Sequence, residues 1–312
     1  MSKLSVVVSV YNEEDSLDAF YNAIKDIFKQ IPFDSELIFV NDGSVDNSVS
    51  IIEKLAEFDD RVKAVIFSRN YGHDAAMIAG LDHATGDYIV CMDADLQHPV
   101  KSLCDICDAF KNGAEVVLMA RQANKDAGLF KNITSSAFYK LFNMICKDKF
   151  VPGVSDFFGM SKRVADIFRQ SFRERNRYLR GYLQTVGFKR EVISYEAADR
   201  FAGESKYSIK SLFRVFFIAI TGFSNNLLRI GYYMSAFSLI AALVLAIVSI
   251  VRYVNGGVIS TILIICAVLC LLFGGLYGLV SLAGEYLYTV VAENRDRPIY
   301  IVDRTIGISG KE

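Results

Sequence analysis

Between residues 230 and 282 the only charged side chain is Arg252. So apolar a run cannot present an ordinary wetted surface and must be covered by hydrocarbon or by protein. It divides into residues 230–254 and 258–282, each about 25 residues and about 37 Å long as a helix, against a hydrocarbon core of about 30 Å. Only Asn255-Gly256-Gly257 separates the two, which predicts a tight transmembrane helix hairpin; a long hairpin buried inside a soluble protein is the alternative. Arg214 and Arg229 precede the pair, and Arg295, Arg297 and Arg304 follow it. Arg252 lies near enough to a span end to snorkel. By the positive-inside rule both termini are expected in the cytoplasm, which makes this a multi-pass protein of the cytoplasmic membrane. Just upstream, Ile209, Leu212, Phe213, Phe216, Phe217 and Ile220 share one broad helical face. That pattern predicts an interfacial helix on the membrane surface, or one packed on the preceding domain. Four regions follow: a cytoplasmic domain at 1–207, a juxtamembrane helix at 208–229, the hairpin at 230–282 and a cytoplasmic tail at 283–312.

The first region has a different grammar. Short apolar runs at residues 4–9, 36–40, 62–67, 88–92 and 115–120 alternate with amphipathic or alanine-rich stretches, as in βαβ units on a parallel sheet. Residues 1–12 have too short an apolar run, and acids too soon after it, for a signal peptide, so the protein is expected to begin in the cytoplasm. Ser16 is placed to cap the first helix. The run at residues 88–92 needs no alternation, which fits a strand covered on both faces. It ends in Asp93-Ala94-Asp95-Leu96-Gln97-His98-Pro99.

Two carboxylates one residue apart, with no basic residue in the run, repel each other unless a cation lies between them. All-oxygen ligands suit Mg²⁺ or Mn²⁺ rather than zinc. Alone, the pair reads equally well as caps for the helix that follows. The neighbouring strands, however, exit through Tyr11-Asn12-Glu13-Glu14 and Asn41-Asp42-Gly43-Ser44. On a parallel sheet these acids share one rim, the edge at which open α/β sheets bind ligands. No glycine-rich phosphate loop follows any strand, so a nucleotide here must be held by side chains and by a cation on its phosphates.

The totals exclude other classes. A net charge of −1 gives no basic surface for nucleic acid. Six cysteines include one Cys-x-x-Cys, at 104 and 107, with no second pair to match it, and support neither a zinc cage nor a disulfide framework. The three histidines, His73, His83 and His98, have no metal-ligand spacing among them.

The motifs Val-Tyr-Asn-Glu-Glu at 10–14, Asn-Asp-Gly-Ser at 41–44, Ser-Arg-Asn-Tyr-Gly at 68–72 and Asp-Ala-Asp-Leu-Gln at 93–97 together resemble the family-2 glycosyltransferases of GT-A fold. With Arg-Gly at 180–181, Arg-Phe-Ala-Gly-Glu-Ser-Lys-Tyr at 200–207, Gly-Glu-Tyr at 284–286 and Arg-Pro-Ile-Tyr at 297–300, the chain is similar to the polyprenyl-phosphate glycosyltransferases. Within that group it resembles the dolichol-phosphate-mannose-synthase-like and GtrB-like enzymes.

The resemblance implies roles. Asp93, Asp95 and Gln97 would hold Mg²⁺ or Mn²⁺ and the donor diphosphate, and Tyr11, Asn12, Glu13, Asn41, Asp42 and Asp93 the nucleotide. Asp156 matches a proposed catalytic base. Arg121, Lys131, Arg200, Ser205 and Lys206 are candidates for the acceptor phosphate or the diphosphate. Asn41 stands where many members have Asp, and Phe158 where the Asp-Phe-Arg motif has Arg. His98 replaces a frequent acid one residue beyond the ligand set, where no consequence is expected. The implied reaction is metal-dependent inverting transfer of one sugar, glucose or N-acetylglucosamine, from a UDP-sugar to undecaprenyl or another polyprenyl phosphate, by a membrane-bound homo-oligomer. A GDP-mannose-dependent synthase and an inactive nucleotide-binding scaffold are the alternatives. A processive synthase of the same superfamily would carry a Gln-x-x-Arg-Trp motif, and the chain has no Trp.

Overall fold

In the computed structural model the described residues are 2–122, 150–173, 178–196, 261–294 and 298–308. They fall into two units, the sheet with its helices and, separately, one long helix.

The sheet unit begins β1 (Lys3–Val10), α1 (Leu17–Phe28), β2 (Asp34–Asn41), α2 (Ser48–Phe58), β3 (Val62–Phe67), α3 (His73–His83), β4 (Tyr88–Asp93) and α4 (Ser102–Lys111). It continues with β5 (Val116–Arg121), β6 (Val154–Ser161), α5 (Lys162–Ser171), α6 (Leu179–Thr185) and β7 (Arg190–Tyr195), and ends in β8 (Val302–Ile306). The eight strands lie in the order β7-β5-β6-β4-β1-β2-β3-β8. This is a mixed α/β GT-A fold. Its centre is the parallel run β3-β2-β1-β4. Val6, Val7 and Val8 on β1 are all fully buried, so both sheet faces are covered, as continuous β-branched runs require. One face takes α1 through Leu17, Phe20 and Ile24. Against the same central strand, α3 must come unusually close: a Cβ at Gly80 would collide with Val7. The alanines of α3 are therefore a packing requirement as well as a helix preference.

The sheet is not wholly parallel. β6 runs antiparallel between β4 and β5, and β8 antiparallel along β3. Both enter against the neighbour's direction, one after a long connection from β5 and one from the far end of the chain. Ser16 also differs from expectation: it occupies the N-cap position of α1, but its hydroxyl donates to the Glu13 carbonyl at 3.1 Å and carboxylate at 3.0 Å. Its oxygen accepts no N–H of the first turn of α1, so the hydroxyl fastens the residue to the preceding loop without capping the helix.

At the opposite end of the strands from the acidic rim, Glu36 is buried among Lys3 at 2.8 Å, Lys63 at 2.6 Å, Ser5 and Thr85. Burial pushes its carboxyl upward, but two ammonium groups and the hydroxyl and amide donors outweigh that and hold it at about 2.

The residues after the long helix return to the sheet rather than forming a separate tail. Tyr300 stacks on Phe67 with centroids 5.1 Å apart, and its hydroxyl donates to Asp82 at 2.6 Å. Asp82 also receives the Arg173 guanidinium at 2.9 Å. Ser68 N–H donates to the Ile301 carbonyl at 3.1 Å, and Arg304 pairs with Glu53 at 2.7 Å.

The second unit is α7 (Thr261–Asn294), 34 residues and about 51 Å long. The expected boundary at residue 282 falls inside it. The juxtamembrane helix and the first expected span lie outside the described residues, as do many side chains of α7. Among the described residues no helix is long and apolar enough to cross a membrane.

Candidate active site

The loops leaving β1 and β2 are laced together. Asn12 adopts a left-handed conformation, φ 54°, and this lets it face the neighbouring loop at both ends. Its N–H donates to Ser44 Oγ at 2.9 Å, and its Oδ1 accepts Val45 N–H at 2.9 Å. Glu13 N–H donates to Ser48 Oγ at 3.0 Å. Asn41 is fully buried and closes its own turn, giving Nδ2–H to Ser44 Oγ at 2.8 Å and accepting Ser44 N–H at 3.0 Å.

The loop leaving β3 joins through Asp42, whose buried carboxylate accepts Tyr71 N–H at 2.6 Å and Gly72 N–H at 2.9 Å. Burial raises its pKa, and those two bonds oppose the rise without cancelling it. Gly43, at φ 68°, lies so close to the Arg69–Asn70 backbone that any Cβ would collide. Three strand exits thus form one cradle, with Tyr11 exposed at its edge.

Next to the cradle, Ser9 pairs with Asp93 across β1 and β4. The Ser9 hydroxyl donates to Asp93 Oδ1 at 3.1 Å. Asp93 N–H donates to His98 Nδ1 at 3.1 Å. Leu96, at φ 62°, turns the chain, and Gln97 N–H donates to Asp95 Oδ1 at 3.0 Å. His98 is buried, stacked on Phe157 at 5.1 Å and edge-on to Tyr195 at 6.0 Å. The sequence expectation that position 98 is without consequence is corrected: its ring holds the acidic turn against β6.

The register of β4 and β6 pairs Cys91 with Phe158. Two residues on in β4 stands Asp93, and two residues back in β6 stands Asp156. Asp156 lies 3.7 Å from the Arg180 guanidinium of α6. Burial pushes the Asp156 carboxyl up, but Arg180, His73 and His98 together hold it below the usual carboxylate range. His73, the first residue of α3, places Nδ1 2.9 Å from Ser9 Oγ and 3.5 Å from Asp93 Oδ1. Burial lowers the pKa of its ring, and Asp93, Asp156 and Asp74 raise it by more.

One rim therefore gathers Tyr11, Asn12, Glu13, Asn41, Asp42, Asp93, Asp95, Gln97 and Asp156. Arg121 ends β5 with an exposed side chain, its N–H donating to Gly153 at 2.8 Å. Lys131, Arg200, Ser205 and Lys206 lie outside the described residues. Ser9, His73 and Arg180 are the rim residues that sequence reasoning misses. The available signals were slight: a serine interrupting an apolar strand, and an Arg-Gly motif with no assigned role.

Among the described residues no group of three or more His, Cys, Asp or Glu side chains is arranged to hold a metal alone. Two adjacent carboxylates nevertheless fit Mg²⁺ or Mn²⁺, ions that protein sites often hold by one or two carboxylates plus substrate phosphates.

A GT-A sheet with interlaced strand exits beside the acids at the end of β4 is the frame of a glycosyltransferase. Residues 5–168 match Glycosyl transferase family 2, and the chain belongs to that family. It is 36% identical to the uncharacterized glycosyltransferase YkcC of Bacillus subtilis, covering 98% of this chain and 95% of that one. It is 35% identical to the prophage bactoprenol glucosyl transferase homolog of Escherichia coli, over 97% and 99% of the two chains. The bactoprenol glucosyl transferase of Shigella phage SfV is also 35% identical, over 96% and 98%.

Proposed function

We propose that the protein transfers one sugar, glucose or N-acetylglucosamine, from a UDP-sugar to undecaprenyl phosphate or a similar polyprenyl phosphate, with inversion, at the cytoplasmic face of the membrane. The observation that carries this reading is the placement of Asp93 on β4 across from Asp156 on β6, with Arg180 on Asp156, beside the interlaced exits of β1, β2 and β3. Relatives named bactoprenol glucosyl transferase, matched over nearly their whole length, support the lipid acceptor.

In this reading Tyr11, Asn12, Glu13, Asn41 and Asp42 hold the base and ribose. Asp93 and Asp95, with Gln97 beside them, would hold Mg²⁺ or Mn²⁺, which when bound stabilises charge on the departing diphosphate. An oxygen of the lipid phosphate attacks C1, the bond from C1 to the diphosphate oxygen breaks, and the nucleoside diphosphate leaves with that electron pair. A phosphate monoester with a second pKa near 6 is already mostly a dianion at pH 7. No proton need be removed, and a carboxyl held below its usual range is a weak base. Asp156 therefore orients the reactants. Arg121, Lys131, Arg200, Ser205 and Lys206 supply the phosphate contacts.

Membrane anchorage is read from the apolar sequence of residues 230–282 together with the exposed apolar side chains of α7. From Thr261 to Gly284 it contains no charged residue, and Ile265, Leu269, Phe273, Leu276 and Val280 are exposed along it at helical spacing. Because β8 belongs to the same sheet as β1, the chain between Glu196 and Pro298 leaves and returns on one side. Any crossing of a bilayer within it is matched by a second, which favours a hairpin. Gly274, Gly275 and Gly278 allow close helix approach, the contact we assign to a homo-oligomer.

The test is a release assay in detergent with Mg²⁺ or Mn²⁺ and a panel of UDP- and GDP-sugars, with and without undecaprenyl phosphate. Lipid-dependent release from one UDP-sugar, with glycolipid formed, is the expected result. A GDP-sugar as sole donor would overturn the donor, and release without glycolipid the acceptor.

A further inference from the structure

The sheet order β7-β5-β6-β4-β1-β2-β3-β8 divides the rim in two. On one side of β4 lie the interlaced exits of β1, β2 and β3, to which the proposed reaction assigns the nucleotide. β4 itself ends in Asp93, and on its other side lies β6 with Asp156. Inverting displacement brings the attacking oxygen to C1 from the side opposite the departing diphosphate. With the diphosphate at the end of β4, the side left for the lipid phosphate is that of β6. A dianion arriving there is repelled by the Asp156 carboxylate unless a cation stands close by.

Arg180 is the cation beside Asp156. Its backbone is held by Gln184 of the same helix, which accepts Val151 N–H at Oε1 at 2.6 Å and donates from Nε2 to the Arg180 carbonyl at 3.0 Å. Its guanidinium lies over the Tyr178 ring, 5.1 Å from the centroid. A guanidinium supported on its face directs its N–H groups outward in its own plane, the geometry that receives two oxygens at once. The contact with Asp156 does not use that geometry. At 3.7 Å it is longer than a hydrogen bond. The Arg180 and Asp156 side chains are 28% and 22% exposed, so an anion from outside can reach both. A phosphate dianion has twice the charge of the carboxylate and can accept two parallel N–H bonds, which favours it in competition for the guanidinium.

We infer that Arg180 is an acceptor-binding residue, whose guanidinium exchanges the Asp156 carboxylate for the phosphate of the arriving lipid, an inference that rests on the polyprenyl-phosphate reading above. The exchange releases Asp156 toward the sugar only when the acceptor is in place.

The experiment measures binding of farnesyl phosphate, and separately of UDP with Mn²⁺, to the full-length protein in detergent by calorimetry. Arg180→Gln should bind farnesyl phosphate about tenfold or more weakly and UDP within about twofold of the unaltered protein. Arg180→Lys keeps a charge beside Asp156 but not the fork, and should fall between the two. Asp156→Asn removes the competitor, so farnesyl phosphate should bind about threefold or more tightly, and this gain should shrink when Arg180→Gln is also present. Equal weakening of UDP and farnesyl phosphate in Arg180→Gln would overturn the proposal, since the guanidinium would then serve the donor. No gain in Asp156→Asn would overturn the exchange, as would a gain of the same size with and without Arg180. If the unaltered protein binds UDP but neither farnesyl nor undecaprenyl phosphate, the acceptor reading itself falls, and this inference with it.

Discussion

The backbone N–H of Asp93 donates to Nδ1 of His98 at 3.1 Å, and the same imidazole lies flat against Phe157 of β6. The first carboxylate of the acidic pair is thereby oriented through its own main chain, from a ring five residues later. Replacing His98 by Ala leaves a buried N–H unpaired, at a cost of about 1–3 kcal/mol. It also frees the turn carrying Asp95. The expected outcome is a lower urea midpoint and Mn²⁺ affinity weakened about 10–100-fold, as for other groups that position ligands. Titration with Mn²⁺ in the presence of UDP measures it.

Asp95→Asn keeps the shape of the turn, because the Asn Oδ1 can still accept the Gln97 N–H, and removes one negative charge from the rim. Transfer is expected to vanish while the far-ultraviolet spectrum and urea midpoint stay as they were. Unchanged turnover would remove the metal assignment.

Asp156→Asn separates orientation from proton removal. The expected result is a kcat lower by roughly 10²-fold or more, with UDP affinity within about twofold. In the unaltered enzyme the rate should rise through about pH 6 with ionisation of the acceptor phosphate. A profile governed by a group other than the acceptor, and lost in Asp156→Asn, would restore the base role.

Glu36 makes stability depend on acid. Its folded pKa of about 2 lies below the ordinary 4.5. The unfolded chain therefore binds the proton more readily, and the stabilisation is present above about pH 4.5 and lost as pH falls toward 2. The difference amounts to about 3 kcal/mol. About 2 kcal/mol of it is lost between pH 7 and pH 3, which urea midpoints should show, and in Glu36→Gln this part of the difference should disappear.

Removing residues 298–312 strips β8 from β3 and Tyr300 from Phe67, directly before the loop that gives Tyr71 and Gly72 N–H to Asp42. The truncated protein should lose UDP affinity and scatter light on standing, because the opened edge of β3 can pair with another copy. Tyr300→Phe keeps the ring stack and loses one hydrogen bond to Asp82, so about 1 kcal/mol of stability is expected to go.

The parallel centre and its acidic exits are legible in sequence because β1 to β4 are apolar runs that end abruptly in polar loops. β6 and β8 are not. β6 includes Asp156 and Gly159 within its length, and β8 is a half-exposed Val-Asp-Arg-Thr-Ile at the sheet edge. Neither has the continuous hydrophobicity or clean alternation by which a strand is read. The same limit applies to the site. Asp93 and Asp95 declare themselves as neighbours in sequence, whereas Ser9, His73 and Arg180 acquire meaning only from partners that lie far away along the chain.

The position of β8 also sets an order of events during synthesis. The edge of β3 stays open while the ribosome makes everything from α3 to the end of α7, and it is closed only by residues that follow the apolar stretch. In the proposed topology, a chain whose hairpin inserted only once would leave β8 on the far side of the bilayer, with no strand to close β3 and no Tyr300 for Asp82. Completion of the catalytic sheet would thus act as a check on correct insertion, made by the nascent protein on itself. Adding one further span between α7 and Pro298 should abolish UDP binding without altering any residue of the cradle; full binding by such a chain would show that no such check operates.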